Sequence, residues 1–187
     1  MKKSIIHKIQ KYSPNEKRNI IKDIKEKVCY VALEYEEGFK SVEPYEYEMP
    51  DGQKLTIRDE RIKWPECLFK SSLIGKEDFN IVKICNELIK KYKENEQKLL
   101  YNSIVLSGGN SMFKGLPERL TREIKLLAPD SMKEEVNVIA SPERNESSIK
   151  GGSILSIIDT FKDNWITKAE YEESGSDIVY KRCIKSL

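Results

Sequence analysis

The sequence predicts an α/β protein, on three observations. Apolar residues recur at helical spacing in several separate stretches. A Pro-Asp-Gly turn lies between two runs of alternating polarity. The second half of the chain reads strand, helix, strand, helix, the order that builds a small parallel sheet with flanking helices, although an α+β arrangement fits the same elements.

The elements follow in order. Ser13-Pro14-Asn15-Glu16 opens a helix: Ser13 caps, Pro14 suits the first helical position and Glu16 completes a capping box. Ile20, Ile21, Ile24 and Val28 then fall at helical spacing, and Gly38 marks a stop or bend. Tyr45, Tyr47 and Met49 alternate with Glu46 and Glu48, and Leu55 and Ile57 alternate after the turn Pro50-Asp51-Gly52, which predicts a β-hairpin. A helical piece runs from Glu60 to Phe69, interrupted at Pro65. The segment Phe79 to Lys91 is an amphipathic helix with Ile81, Ile84, Cys85, Leu88 and Ile89 on its apolar side. A further helical turn or two leads to Leu99 and Leu100. Ser103 to Leu106 is a short strand that ends in Ser107-Gly108-Gly109. Leu116, Leu120, Ile124 and Leu127 define one face of a helix over 116–127. Val136 to Ala140 is a second strand. Ile149 to Phe161 is helical, and Trp165 to Ile184 reads as short helices joined by polar turns.

Composition narrows the function. The chain has 187 residues, enough for one domain or two small subdomains sharing a core. Thirty-three basic residues face 31 acidic ones, so the net charge of +2 supplies no field for nucleic acid or a membrane surface. No run of about 18 apolar residues occurs, and Met1 to Ile9 lacks the apolar core of a signal peptide. Cys29, Cys67, Cys85 and Cys183 stand singly and read as free thiols in a reducing compartment. Asn145-Glu146-Ser147 fits a glycosylation acceptor, which without an export signal reads as chance. The single histidine, His7, sits near the terminus, where the chain is expected to fray. It reads as a surface residue on a short basic helix, so His-centred triads and His-rich metal sites are not expected.

Two glycine pairs remain. Gly108-Gly109 after a strand lets backbone approach a ligand and aim N–H groups at it, and fits a tight unliganded βα turn equally well. Gly151-Gly152 fits close helix packing. Lys25 and Glu26 are adjacent on a helix, roughly 100° apart. They suit a charged, hydroxylated ligand or, more simply, a solvated face.

Taken together, these segments resemble actin. The resemblance rests on Asp23-Ile24-Lys25-Glu26-Lys27-Val28-Cys29-Tyr30-Val31-Ala32-Leu33, Met49-Pro50-Asp51-Gly52-Gln53, Ser107-Gly108-Gly109-Asn110-Ser111-Met112-Phe113, Ala128-Pro129 with Met132-Lys133, and Pro142-Glu143-Arg144. It continues through Gly151-Gly152-Ser153-Ile154-Leu155, Trp165-Ile166-Thr167-Lys168-Ala169-Glu170-Tyr171-Glu172-Glu173-Ser174-Gly175 and Lys181-Arg182-Cys183. It spans about Asn15 to Cys183. The resemblance implies half of an actin-like ATPase domain. Residues 1–14 are then a short basic segment. Residues 15–187 are an actin-like carboxy-terminal region, comprising the large-domain half and helices returning toward the small domain.

The resemblance also implies roles. Lys25 and Glu26 contact the adenosine, with Glu26 accepting from ribose hydroxyls. Gly108 and Gly109 form the loop against which the nucleotide packs, and Met112 and Phe113 flank the adenine. Ile154, Leu155, Ile158 and Thr160 form part of a groove for partner proteins and neighbouring protomers. ATP or ADP is the implied ligand, held weakly or in part, with Mg²⁺ carried only by the nucleotide and no metal site of the chain's own. Actin, actin-binding proteins or further copies of the chain are the implied partners, in the cytoplasm and its cytoskeleton.

The departures from the family pattern also carry expectations. Asn145 and Glu146 replace a basic and an aromatic residue beside the base, and Glu146 is unfavourable near an anion. Phe113 lacks a phenolic hydroxyl, Lys150 replaces an apolar residue at the groove, and the loop Glu36 to Tyr45 is shorter. The chain also continues past Cys183. The family's phosphate loops and Mg²⁺-holding acids have no counterpart, so hydrolysis by this chain alone is not expected and no catalytic residue is assigned. Three readings follow: an actin-like structural protein, an ATPase completed in trans by another chain, or an inactive remnant.

Overall fold

The computed structural model describes residues 3–76 and 79–183. The chain forms two compact units, Met1–Asn145 and Glu146–Leu187.

The first unit begins with α1 (Lys3–Ile9) and α2 (Pro14–Val28). The expected fraying is not found over α1, because Ile5 and Ile9 are buried; His7 is exposed on it. The capping box of α2 forms as expected. Ser13 N–H donates to Glu16 Oε2 at 2.8 Å, and Ser13 Oγ accepts from Glu16 N–H at 3.4 Å. Ile20, Ile24 and Val28 are buried. The short helix α3 (Tyr35–Ser41) contains Gly38, which neither stops nor bends it; a Cβ there would lie 2.5 Å from that of Ala32, so the glycine permits close packing.

The hairpin pairs β1 (Tyr45–Glu48) antiparallel with β2 (Lys54–Ile57), Tyr47 opposite Leu55. Gly52 takes φ 78° in the turn. Tyr47, Met49, Leu55 and Ile57 face α1 and α2 and complete one apolar cluster. Lys11 of the α1–α2 turn pairs with Asp51 of the hairpin turn.

A second cluster gathers Cys29, Val31, Phe69, Val82, Ile89, Tyr101, Phe113, Leu116, Leu120, Ile124, Ala128, Met132 and Val136. It joins α4 (Glu60–Glu66), α5 (Ile81–Ile89), α6 (Glu94–Asn102) and α7 (Leu116–Leu127) to a parallel pair, β3 (Ile104–Val105) and β4 (Val138–Ile139). Trp64 packs against both clusters. Mixed helices and two small sheets, one of them parallel, accord with the α/β expectation.

Two helix faces differ from their expected pattern. On α5 the buried side is Val82, Asn86 and Ile89, while Ile84 and Leu88 are exposed. Asn86 meets Tyr101, fully buried, whose hydroxyl donates to Asn86 Oδ1 at 2.7 Å. A buried phenol needs a polar partner, and Asn86 supplies it from the inner face, while Ile81 and Cys85 of the expected face pack against the same cluster. On α7 Leu116, Leu120 and Ile124 are buried as expected, but Leu127 is exposed and Arg119 is buried. Arg119 donates to the Ala32 carbonyl at 2.7 Å, pairs with Glu66 and Glu123, and lies 4.9 Å from the Phe69 ring centroid.

The second unit comprises α8 (Ser147–Ile157), α9 (Asp159–Lys162), α10 (Lys168–Ser174) and α11 (Asp177–Cys183). Ile158 breaks the expected continuous helix with an extended backbone. The close packing expected at Gly151 and Gly152 is not found, since a Cβ at either meets nothing within 4 Å. Thr167 and Glu170 form a capping box, and Glu170 pairs with Arg182 at 2.7 Å.

Candidate functional site

The glycine turn after β3 lies beside the last turns of α2. Gly108 has φ 87°, a conformation that disfavours side chains. Its N–H donates to the Arg144 carbonyl at 2.8 Å, so this N–H is taken by the protein and is not aimed at a ligand. Its carbonyl accepts from Ser111 N–H at 3.0 Å and Ser111 Oγ at 2.7 Å. Arg144 closes the loop from outside, its Nε and Nη2 donating to the Ser111 carbonyl at 3.0 and 2.9 Å. No motif signalled this role for Arg144; the clue is chemical, since a tight glycine turn leaves carbonyls that need donors.

Phe113 follows that loop and is buried. Its place is fixed by the next two residues. Lys114 bridges to Tyr30 in parallel, and its carbonyl accepts from Val31 N–H at 2.8 Å. Gly115 has φ 81°, and a Cβ there would lie 2.2 Å from the Val31 carbonyl oxygen. Only glycine allows the segment after α2 to approach so closely.

Lys25 is thereby brought to the turn. Its Nζ donates to Asn110 Oδ1 at 2.8 Å and lies 5.8 Å from the Phe113 ring centroid, a cation–π distance. Asn110 lies within the family motif, which implies no role for it. Its link to Lys25 spans 85 positions and carries no local signal. Glu26, the next residue, is exposed and 3.9 Å from Lys22. Gly109 and Met112 are exposed as well. Lys25, the glycine loop and Phe113 therefore form one continuous wall, with Glu26, Gly109 and Met112 open to solvent.

A cavity of about 340 Å³ adjoins this wall, and Lys25, Asn110 and Phe113 line it together with Trp64, Cys67 and Leu68 of the α4 region. Glu26, Gly108, Gly109 and Met112 are not among its lining residues. Cys29, packed beside Phe113 in the second cluster, has its thiol pushed up to about 12 by burial, so it stays a neutral thiol. Burial likewise raises Cys67, which donates to the Lys63 carbonyl. Cys29, Cys67 and Cys85 are free; the side chain of Cys183 lies outside the described residues.

Ile154 and Leu155 lie on α8, Ile158 between α8 and α9, and Thr160 on α9, all exposed. They belong to the second unit. Among the described residues no group of three or more His, Cys, Asp or Glu side chains is placed to hold a metal, and no helix is long and apolar enough to cross a membrane.

A family model described as Actin matches residues 1–184. The chain belongs to the actin family. The match reaches residue 1, beyond the Asn15 at which the resemblance begins, and takes in α1. In this actin-family chain the motif residues Lys25, Asn110 and Phe113, scattered in sequence, meet at one wall.

Proposed function

We propose that the chain is an actin-like structural protein of the cytoplasmic cytoskeleton that offers one wall of an ATP- or ADP-binding cleft and a groove for protein partners. The observation that carries the reading is the Lys25–Asn110–Phe113 cluster. It sets a cation and an aromatic ring beside a glycine turn at the positions the family uses for adenosine. Glu26, exposed next to Lys25, supplies the acceptor for ribose hydroxyls, and Gly108 and Gly109 give the flat backbone against which a nucleotide packs. Mg²⁺ arrives with the phosphates. Ile154, Leu155 and Ile158, with the exposed Thr160, supply a largely apolar surface for actin, actin-binding proteins or another copy of the chain.

A calorimetric titration of Mg-ATP with a parallel thermal melt tests the nucleotide half. Binding heat, with stabilisation of about 2.7 kcal/mol at a hundredfold excess over Kd, supports it. No heat and no shift would remove the nucleotide from the function and leave the partner surface.

The exposure of Glu26, Gly109 and Met112 favours a second reading, in which another polypeptide covers the wall and completes an ATPase in trans. ATP turnover that appears only when the second polypeptide is added supports it. Turnover by the purified chain alone would overturn it.

A further inference from the structure

The cavity beside the glycine turn has a chemistry of its own. Trp64, Leu68, Ile74, Phe79 and Phe113 give it apolar and aromatic walls, and among the described residues Lys25 and Lys76 are the charged ones on its lining, with no carboxylate beside them. Its volume of about 340 Å³ suits a compact ligand, at the small end of small-molecule sites. Four of the six residues assigned to the nucleotide wall, Glu26, Gly108, Gly109 and Met112, take no part in it. Most of its lining comes instead from α4 and the segment after it.

We infer that this cavity is a second binding site, adjoining the nucleotide wall and sharing Lys25, Asn110 and Phe113 with it, for a small planar aromatic molecule carrying one anionic group. The three aromatic side chains and the aliphatic walls remove a flat ring system from water. An ammonium has three donors, and the bond to Asn110 uses one of those on Lys25. Lys25 and Lys76 together complement a single carboxylate or sulfonate. A triphosphate does not fit this chemistry, because the apolar walls would desolvate charge that two lysines cannot match. The site does not depend on the nucleotide reading, although Lys25, Asn110 and Phe113 serve both. An occupant that draws Lys25 away from Asn110 alters the glycine turn, so the two ligands are coupled.

Naphthalene-2-sulfonate is the probe, titrated into the ¹⁵N-labelled chain. The chain has two tryptophans, Trp64 on the cavity and Trp165 in the second unit. The Trp64 indole N–H resonance should shift saturably while that of Trp165 stays in place. Lys76→Glu should weaken binding about tenfold, and the neutral sulfonamide analogue should bind about tenfold more weakly. Ile74→Trp, at an exposed position on the cavity rim, should abolish the shift with the fold intact by thermal melt. A Trp64 resonance unmoved by millimolar probe overturns the proposal. So does equal movement of both indoles, or parental affinity in both variants. Mg-ATP is titrated separately. Probe binding without ATP binding sinks the nucleotide reading alone; ATP binding without probe binding sinks the cavity site alone.

Discussion

The first unit and the second are both largely helical, yet different forces hold their helices. In the first unit each long helix buries a stripe: Ile20, Ile24 and Val28 on α2, and Leu116, Leu120 and Ile124 on α7. In the second unit none of α8 to α10 has a buried residue. There the visible ties are local, a capping box at Thr167 and the Glu170–Arg182 pair. The contrast teaches that the same family sequence specifies one region by packing and the other by caps and charge. Glycine positions expose it most sharply. Gly115 has backbone of the first unit pressed against it, whereas Gly151 has open space.

Substitutions should follow that contrast. Gly115→Ala forces a Cβ into the Val31 carbonyl oxygen at a left-handed φ and should cost about 3 kcal/mol or more in urea unfolding followed by Trp64 fluorescence in a Trp165→Phe background. Gly151→Ala, in a helix interior with free space, should instead raise helicity by circular dichroism and stabilise by about 0.5–1 kcal/mol. A destabilising Gly151→Ala would break the comparison. Tyr101→Phe leaves the Asn86 side chain buried without its donor and should cost about 1–3 kcal/mol in the same unfolding assay. Thr167→Ala removes a cap and should cost about 1 kcal/mol, read as lost helicity and faster amide exchange confined to α10.

Acid should separate the regions by sign. Glu170 is held down at about 2, from an ordinary 4.5, first by its hydrogen bond from Arg182 and then by Thr167. Its contribution is present above pH 4.5 and lost as pH falls toward 2. Glu66 is shifted the other way: burial raises it more than Arg119 lowers it. Its folded pKa lies above the unfolded one, so its protonation favours the fold as pH falls and the gain is lost as pH rises through the raised value. Glu66→Gln should flatten the pH dependence of the first unit's melt above pH 4.5. Glu170→Gln should remove the acid loss in the second unit. An unchanged profile in both variants would refute this account.

Much of the fold was legible because its signals are short-range. Ser13-Pro14-Asn15-Glu16 and Pro50-Asp51-Gly52 encode a cap and a turn within four residues, and both form. The faces of α5 and α7 were misread where a polar residue is buried. Apolar periodicity cannot anticipate Asn86 answering Tyr101, or Arg119 answering Glu66 and the Ala32 carbonyl. The site divides along the same line. Lys25 and Phe113 were visible through the family motif, but the Asn110 and Arg144 links depend on residues far apart in sequence.

Arg144 also has a mechanical consequence. It is the second-last residue of the first unit, one position before Asn145, so the covalent path into the second unit runs through it. Tension applied to the chain beyond Asn145 reaches the Arg144 carbonyl and guanidinium before it reaches β4. There it meets three hydrogen bonds to Gly108 and Ser111. A pull on the proposed partner surface is thus delivered first to the glycine turn, and the wall proposed to hold a nucleotide doubles as the anchor at which force enters the core.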